Sequence, residues 1–191
     1  MILPSVAGQA ALASASRIIL SNKPSSPDWT IISPTWTFVG GRLDGSGLSR
    51  LSPKIRSSAS FPSDRTFSLK FKTVTQGAQD WYAAWAVGKY VSEYDRTVVI
   101  LHNSGGVEIA VSQLQPTGLV DHVYSVPTSL SNLAWHTLTV LYIGNNARVS
   151  IDGIVYLDVT DSIIGALGAC SIELASCGDS ESLFGGATIS F

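Results

Sequence analysis

The stretch from Trp135 to Asp161, WHTLTVLYIGNNARVSIDGIVYLDVTD, narrows the possible folds more than any other part of the chain. Leu138, Val140 and Tyr142 alternate with Thr137, Thr139 and Leu141, the period-two pattern of a strand with two unlike faces. Gly144-Asn145-Asn146 then supplies turn residues, and Arg148, Ser150 and Asp152 alternate with Ala147, Val149 and Ile151. Asp152-Gly153 turns the chain again, and Ile154-Val155-Tyr156-Leu157 runs back. Gly, Asn and Asp tolerate the positive φ of tight hairpin turns. Two hairpins in series predict an antiparallel, all-β chain.

Further strands are predicted along the rest of the sequence. Trp29–Ile32 and Thr35–Val39 are split by Ser33-Pro34. Phe67, Leu69 and Phe71 alternate with Ser68, Lys70 and Lys72, as in a half-buried strand. Trp81–Val87, Thr97–His102, Val107–Val111, Cys170–Leu174 and Ala187–Phe191 complete the main set, with an earlier strand at Arg17–Leu20. Residues 113–122 read as a loop before a short strand at Val123–Val126, and a short helix is expected at Gly8–Ser16. No repeat of 20 to 50 residues is present. About a dozen short strands predict a β-sandwich or jelly roll.

Composition excludes several classes. The chain has 191 residues, enough for one domain, and only 14% are charged. The net charge is -2, with no Lys/Arg cluster of the kind nucleic-acid binding needs. No apolar run reaches the roughly 20 residues of a membrane helix. The N-terminus lacks the basic start of a convincing signal peptide. Cys170 and Cys177 admit a short-loop disulfide or two free thiols.

The order of motifs resembles the concanavalin A-like lectin/glucanase superfamily of the laminin-G type. DWTIISPTWTFVGGRLDGSG (Asp28–Gly47) is similar to its opening strands, AAWAVGKYVSEYDRTVVILHNSGGVEIAV to its central strands, and the Trp135–Asp161 stretch to its late hairpins. GALGACSIELAS and FGGATISF resemble its closing strands. The resemblance spans residues 28–191 and implies an antiparallel β-sandwich of the concanavalin A-like jelly-roll class. Residues 1–27 are expected to form an N-terminal arm, a candidate assembly segment. Many relatives place a calcium-holding Asp where Gly185-Gly186-Ala187 stands here, so a structural calcium is disfavoured; no other cofactor is expected.

The resemblance alone leaves the activity open, because this fold carries many functions. Its glucanase branch bears Glu-x-Asp-x-x-Glu on one strand. The nearest string here, Glu93-Tyr94-Asp95-Arg96-Thr97, lacks the third carboxylate. Glycosidases need two carboxylates about 5 to 9.5 Å apart. Glu93/Asp95, Glu108, Glu173 and Asp179/Glu181 are the acidic candidates, and Tyr94, Arg96 and His102 the candidates for a lyase. His102, His122 and His136 lack metal-ligand spacing. The chain is therefore expected to lack catalytic activity. Trp29, Trp36 and Trp135 are assigned to packing.

Trp81, Trp85, Tyr90, Tyr94, Asp95 and Arg96 form the candidate glycan site. Aromatic faces stack on sugar C–H groups while polar side chains bond the hydroxyls. The expected role is a non-catalytic module that binds glycans, builds a homo-oligomeric assembly through its N-terminal arm, or does both. An extracellular surface or a virion, as in a phage or virus structural or receptor-binding protein, is the expected setting. The alternative is a glycoside hydrolase or polysaccharide lyase of the glucanase-like branch.

Overall fold

The computed structural model describes residues 16–23, 25–32, 36–39, 42–46 and 53–191. In chain order the elements are β1 (Arg17–Ile19), β2 (Trp29–Ile31), β3 (Trp36–Val39), β4 (Arg42–Ser46), β5 (Lys54–Ser57), β6 (Arg65–Thr75), β7 (Ala84–Tyr90) and β8 (Arg96–Leu101). They continue with β9 (Val107–Gln115), β10 (Gly118–Val126), β11 (His136–Ile143), β12 (Asn146–Ile151), β13 (Ile154–Thr160), α1 (Ser162–Ala166), β14 (Ser171–Ser176), β15 (Glu181–Phe184) and β16 (Thr188–Ser190).

The strands form two antiparallel sheets. One runs β13-β12-β11-β6-β15-β4-β3, with β16 also paired to β6 and β1 to β16. The other runs β10-β9-β8-β7-β14-β5-β2. The fold is the concanavalin A-like jelly roll.

Alternation along the strands decides which side chains meet between the sheets. On β6, Phe67, Leu69 and Phe71 are buried while Ser68 and Thr66 are half-exposed. From the facing sheet, Val99, Leu101, Ile109 and Val111 enter the same core. Trp29 and Trp36 are buried, and the Trp36 ring lies 5.9 Å from that of Phe184. Trp135 departs from the packing expectation: it is half-exposed, with the Lys72 ammonium 5.8 Å from its ring.

The sheets approach closely where Gly88 of β7 faces Tyr142 of β11. Tyr142 is fully buried, and its hydroxyl shares a 2.7 Å hydrogen bond with Thr97 Oγ1 on β8. Burial pushes its phenol up to about 12. Two buried cations lie beside it, Arg65 joining the two sheets and Lys89 tying β7 to α1. Arg65 donates to the carbonyls of Phe61, Pro62, Gly88 and Cys170. Lys89 Nζ donates to Ser63 Oγ at 2.9 Å and Ile164 O at 2.8 Å. Cys170 and Cys177 are both buried and are not joined by a disulfide.

The predicted hairpins are present with their turn chemistry. Gly144, Asp152 and Gly153 take positive φ (55°, 52° and 82°), Gly144 rather than the asparagines carrying it in the first turn. Several expectations are corrected. Residues 113–122 are not a loop, because β9 and β10 form one long hairpin in register from Val107↔Val126 to Gln115↔Gly118. Leu119↔Leu114 and Asp121↔Ser112 pair across it, so Pro116 and Gly118 mark only its tip. His136, expected beside Trp135 at a sheet edge, is on an interior strand, since β11 pairs with both β12 and β6.

α1 was not foreseen, being one short turn capped by Asp161, whose side chain accepts from the Ile163 amide. The helix expected at Gly8–Ser16 lies almost wholly, and the arm's residues 1–15 lie entirely, outside the described residues. Arg17–Ile19, assigned to the arm by sequence, pair with β16 as a strand of the sandwich.

Candidate functional site

The outer face of the seven-stranded sheet gathers aromatic and charged side chains into one groove. Thr97, Val99 and Leu101 of β8 turn inward, so Arg96, Val98, Ile100 and His102 turn outward. The β8–β9 and β9–β10 registers bring Glu108, Ala110 and Ser112 of β9 and Asp121 and Val123 of β10 onto that face. Together with Trp81 and Trp85 they line a groove of about 220 Å³. Its floor is apolar (Val98, Ile100, Ala110), one wall is aromatic, and polar groups stand at its ends.

The aromatic wall is held in place. Trp81 lies in the β6–β7 loop rather than on β7, and 45% of it is exposed. The Trp85 indole donates to the Trp81 carbonyl at 2.8 Å, and the Trp81 ring meets Tyr82 edge-on at 5.9 Å. The Arg96 guanidinium lies 5.6 Å from the Trp85 ring, within cation–π range. Exposing much of a tryptophan on a fixed loop sacrifices hydrophobic burial, and in a groove it leaves a flat ring for a ligand to cover.

A network of charges flanks the groove on the β7–β14–β5 side. Arg96 reaches Glu93 at 3.3 Å, and Lys54 Nζ holds both oxygens of Glu93 at 2.8 Å. Burial pushes the Glu93 carboxyl up, but Lys54 and Arg96 outweigh it and hold it below its ordinary value. Arg56 lies 3.6 Å over the Tyr90 ring and binds Glu173 Oε2 at 2.8 Å. Glu173 is fully buried and its carboxyl is raised, chiefly by desolvation. Its Oε1 and the Arg96 Nε are buried without a hydrogen-bond partner.

At the opposite end His102 bridges two carboxylates. Its Nδ1 lies 3.0 Å from Asp80 and its Nε2 3.1 Å from Glu108. The Glu108 hydrogen bond leads the effects that raise the imidazole pKa, against the opposing pull of burial. Asp121 accepts from Ser112 Oγ at 2.8 Å. Asp121 and Ser112 pair across the hairpin four residues along β9 from Glu108, about 14 Å at the rise of an antiparallel strand. That exceeds the separation glycoside cleavage uses, so these two do not make an acid–base pair.

The six residues singled out by sequence are therefore divided. Trp81, Trp85 and Arg96 share the groove. Tyr90 is buried beneath Arg56 on the adjoining part of the face. Tyr94 is 54% exposed in the β7–β8 loop. Asp95 shapes that loop, accepting from Ser92 Oγ at 2.6 Å and the Leu114 amide at 3.0 Å. Asp80, Ser112 and Asp121 were missed by sequence reasoning. Strict alternation through Glu108, Ala110 and Ser112 would have exposed the β9 set had the hairpin been recognised. Among the described residues no group of three or more His, Cys, Asp or Glu is placed to hold a metal ion, and no described helix is long and apolar enough to cross a membrane.

No protein-family profile matches the chain, and no curated protein matches it. Solved structures do. A Bacillus licheniformis β-glucanase is 10% identical with a TM-score of 0.67, covering 92% of this chain and 98% of its own. The carbohydrate-binding module CBM66 of Bacillus subtilis is 15% identical with a TM-score of 0.63, covering 87% and 93%. The κ-carrageenase of Pseudoalteromonas carrageenovora, solved with an oligotetrasaccharide, is 7% identical with a TM-score of 0.61, covering 97% and 99%.

At such identities the likeness is one of fold. It nonetheless corrects the expectation of a chain without catalytic activity. The similar structures are mostly glycoside hydrolases and transglycosylases, so an incomplete Glu-x-Asp-x-x-Glu string is no ground for setting catalysis aside.

Proposed function

We propose that this chain is a carbohydrate-active β-sandwich that binds a glycan along the outer face of β7–β10. One observation carries this reading: Trp81 and Trp85 line the same groove as Arg96, Glu108 and Asp121. A sugar ring offers an apolar C–H face to an indole and hydroxyls to charged side chains, and this wall-and-rim arrangement suits both. Similar structures whose names or ligands are carbohydrate add support.

Cleavage or transfer of the bound glycan in the glucanase-like manner is the second reading. It is favoured by the hydrolases among the similar structures and by Glu108, a groove carboxylate backed by His102 and Asp80. His102, hydrogen-bonded to Glu108, is a titratable group of the kind general acid–base transfer uses, with Glu108 as its neighbouring carboxylate.

The test is retardation in native gels containing mixed-linkage β-1,3-1,4-glucan, κ-carrageenan or soluble N-acetylglucosamine oligomers, with reducing-sugar release measured in parallel. Retardation by one of these, weakened at least tenfold in Trp85→Ala, supports glycan binding. Sugar release abolished by Glu108→Gln supports the second reading. No retardation and no release across the panel would count against both.

A further inference from the structure

Trp81 is held from behind. Residues 76–83 carry it from β6 to β7, and the loop is docked on the β8–β9 turn by side chains from both. Asp80 accepts from the Ser104 amide at 2.7 Å and from Ser104 Oγ at 2.9 Å. Asn103 donates to Gln79 O at 2.9 Å, and its Oδ1 accepts from the buried Asn132 at 2.8 Å. These contacts involve groups whose charge is constant near neutral pH. The exception is His102, placed between Asp80 of the loop and Glu108 of β9.

Each ring nitrogen of His102 faces a carboxylate. Ionised carboxylates only accept, and a neutral imidazole has one N–H to give. Both contacts are hydrogen bonds only when the ring carries two protons. On losing one, either Asp80 or Glu108 faces a nitrogen lone pair, acceptor against acceptor.

We propose that doubly protonated His102 is a clamp fixing the Trp81 loop to the groove, so that glycan affinity falls as pH rises and the clamp opens. The proposal rests on the glycan reading above for its consequence, though not for the clamp itself.

The surroundings define the switch. The charged groups facing His102 are Asp80 from the β6–β7 loop and Glu108 from β9. Asp121 of β10 and Arg96 of β8 line the same groove further along, and β7 contributes Trp85. Hydrogen bonding to Glu108 and the charges of Glu108 and Asp80 raise the imidazole above its ordinary 6.5. Asp80 moves correspondingly down: burial pushes it up, but Ser104 and His102 outweigh that. A raised folded value means the clamp is complete below 6.5 and is lost as pH rises through the higher folded value. The Ser104 contacts persist, so the loop loosens rather than leaves, and affinity falls about five- to tenfold, the worth of one charged hydrogen bond in a partly exposed setting.

The clamp is tested first without ligand, by tryptophan fluorescence of the full chain from pH 5 to 9. A transition with its midpoint above 6.5 is expected, absent in His102→Gln and lost from the signal in Trp81→Phe. Glu108→Gln, which keeps shape and removes charge, is expected to lower the midpoint. No transition in the wild type, the same transition in His102→Gln, or an unmoved midpoint in Glu108→Gln overturns the clamp. Affinity for mixed-linkage β-glucan is then compared at pH 6 and pH 9. A fall in the wild type and none in His102→Gln supports the gate; equal affinities overturn it. If this glucan is bound at neither pH, the affinity consequence fails for it, while the fluorescence titration still decides the clamp.

Discussion

The contact of Gly88 with Tyr142 supports the strands that form the groove, and its contribution is measurable. A Cβ built on Gly88 overlaps the Tyr142 hydroxyl and lies 2.8 Å from Cζ and 2.9 Å from Cε2 of the ring. Neither side yields easily. Gly88 is the bulged residue of a central strand, but the ladder pairs of Val87, Lys89 and Tyr90 with β8 and β14 hold it on both sides, and Tyr142 is fully buried with its hydroxyl bound to Thr97. Overpacking a core costs about 1–3 kcal/mol, and Gly88→Ala belongs at the upper end, about 3 kcal/mol. Tyr142→Phe loses the hydrogen bond to Thr97, about 1–1.5 kcal/mol. It also removes the atom closest to the new methyl, while the ring carbons stay below ordinary contact distance. The double variant is therefore expected to be less damaged than the sum, by roughly 1 kcal/mol of coupling. Urea denaturation of the four proteins gives this coupling directly. Simple additivity, or a Gly88→Ala variant within about 0.5 kcal/mol of wild type, the ordinary range for surface changes, would refute the packing argument.

Other consequences follow from buried groups. Asp161 caps α1 and also accepts from His122 at 2.6 Å and Tyr124 at 2.9 Å. Asp161→Ala is expected to cost about 1–2 kcal/mol in urea denaturation, chiefly the lost cap, because the exposed His122 and half-buried Tyr124 can turn to water. Lys89 is fully buried, and desolvation holds its ammonium below the ordinary 10.5. The unfolded chain then binds that proton more readily, so this group's contribution to stability improves as pH rises from the folded value toward 10.5. The urea midpoint of wild type relative to Lys89→Met should rise between pH 7 and pH 10, and a constant gap would contradict the assignment.

The legible parts of the fold were those where local chemistry and tertiary pairing agree. Asp152-Gly153 specifies a hairpin by its own conformational tolerance, and the alternation of Leu138, Val140 and Tyr142 matches the face they bury. The β9–β10 hairpin was obscured because Gln115-Pro116-Thr117-Gly118 punctuates it and its edge strand buries little, leaving Leu119 and Val123 exposed. β5 and β15 are four residues each, too short for periodicity to speak, and their pairing comes from β14, β4 and β6 instead.

The site was legible in part. The density of Trp81, Trp85 and Arg96 marked the right face, although Trp81 reaches it from a loop and not through strand parity. Tyr90 shares the sequence cluster yet is covered by Arg56, whose approach depends on β5 lying beside β14. The partnership of His102 with Asp80 and Glu108 depends on a docked loop and a strand register, neither of which has a local signature.

A glycan bound on the outer face of β7–β10 would be sensed by some tryptophans and not by others. Five tryptophans give five indole N–H resonances, and they divide by position. Trp81 and Trp85 line the groove, Trp29 and Trp36 are in the core, and Trp135 stands just before β11, beside Lys72 of the other sheet. A titration of the labelled protein with mixed-linkage β-glucan oligosaccharide, followed on these five signals, is the most direct test. Saturable shifts of the Trp81 and Trp85 signals are expected, with Trp29, Trp36 and Trp135 unmoved. Saturable shifts confined to Trp135, or no shift of Trp81 and Trp85 with an oligosaccharide the protein binds, would contradict binding on that face.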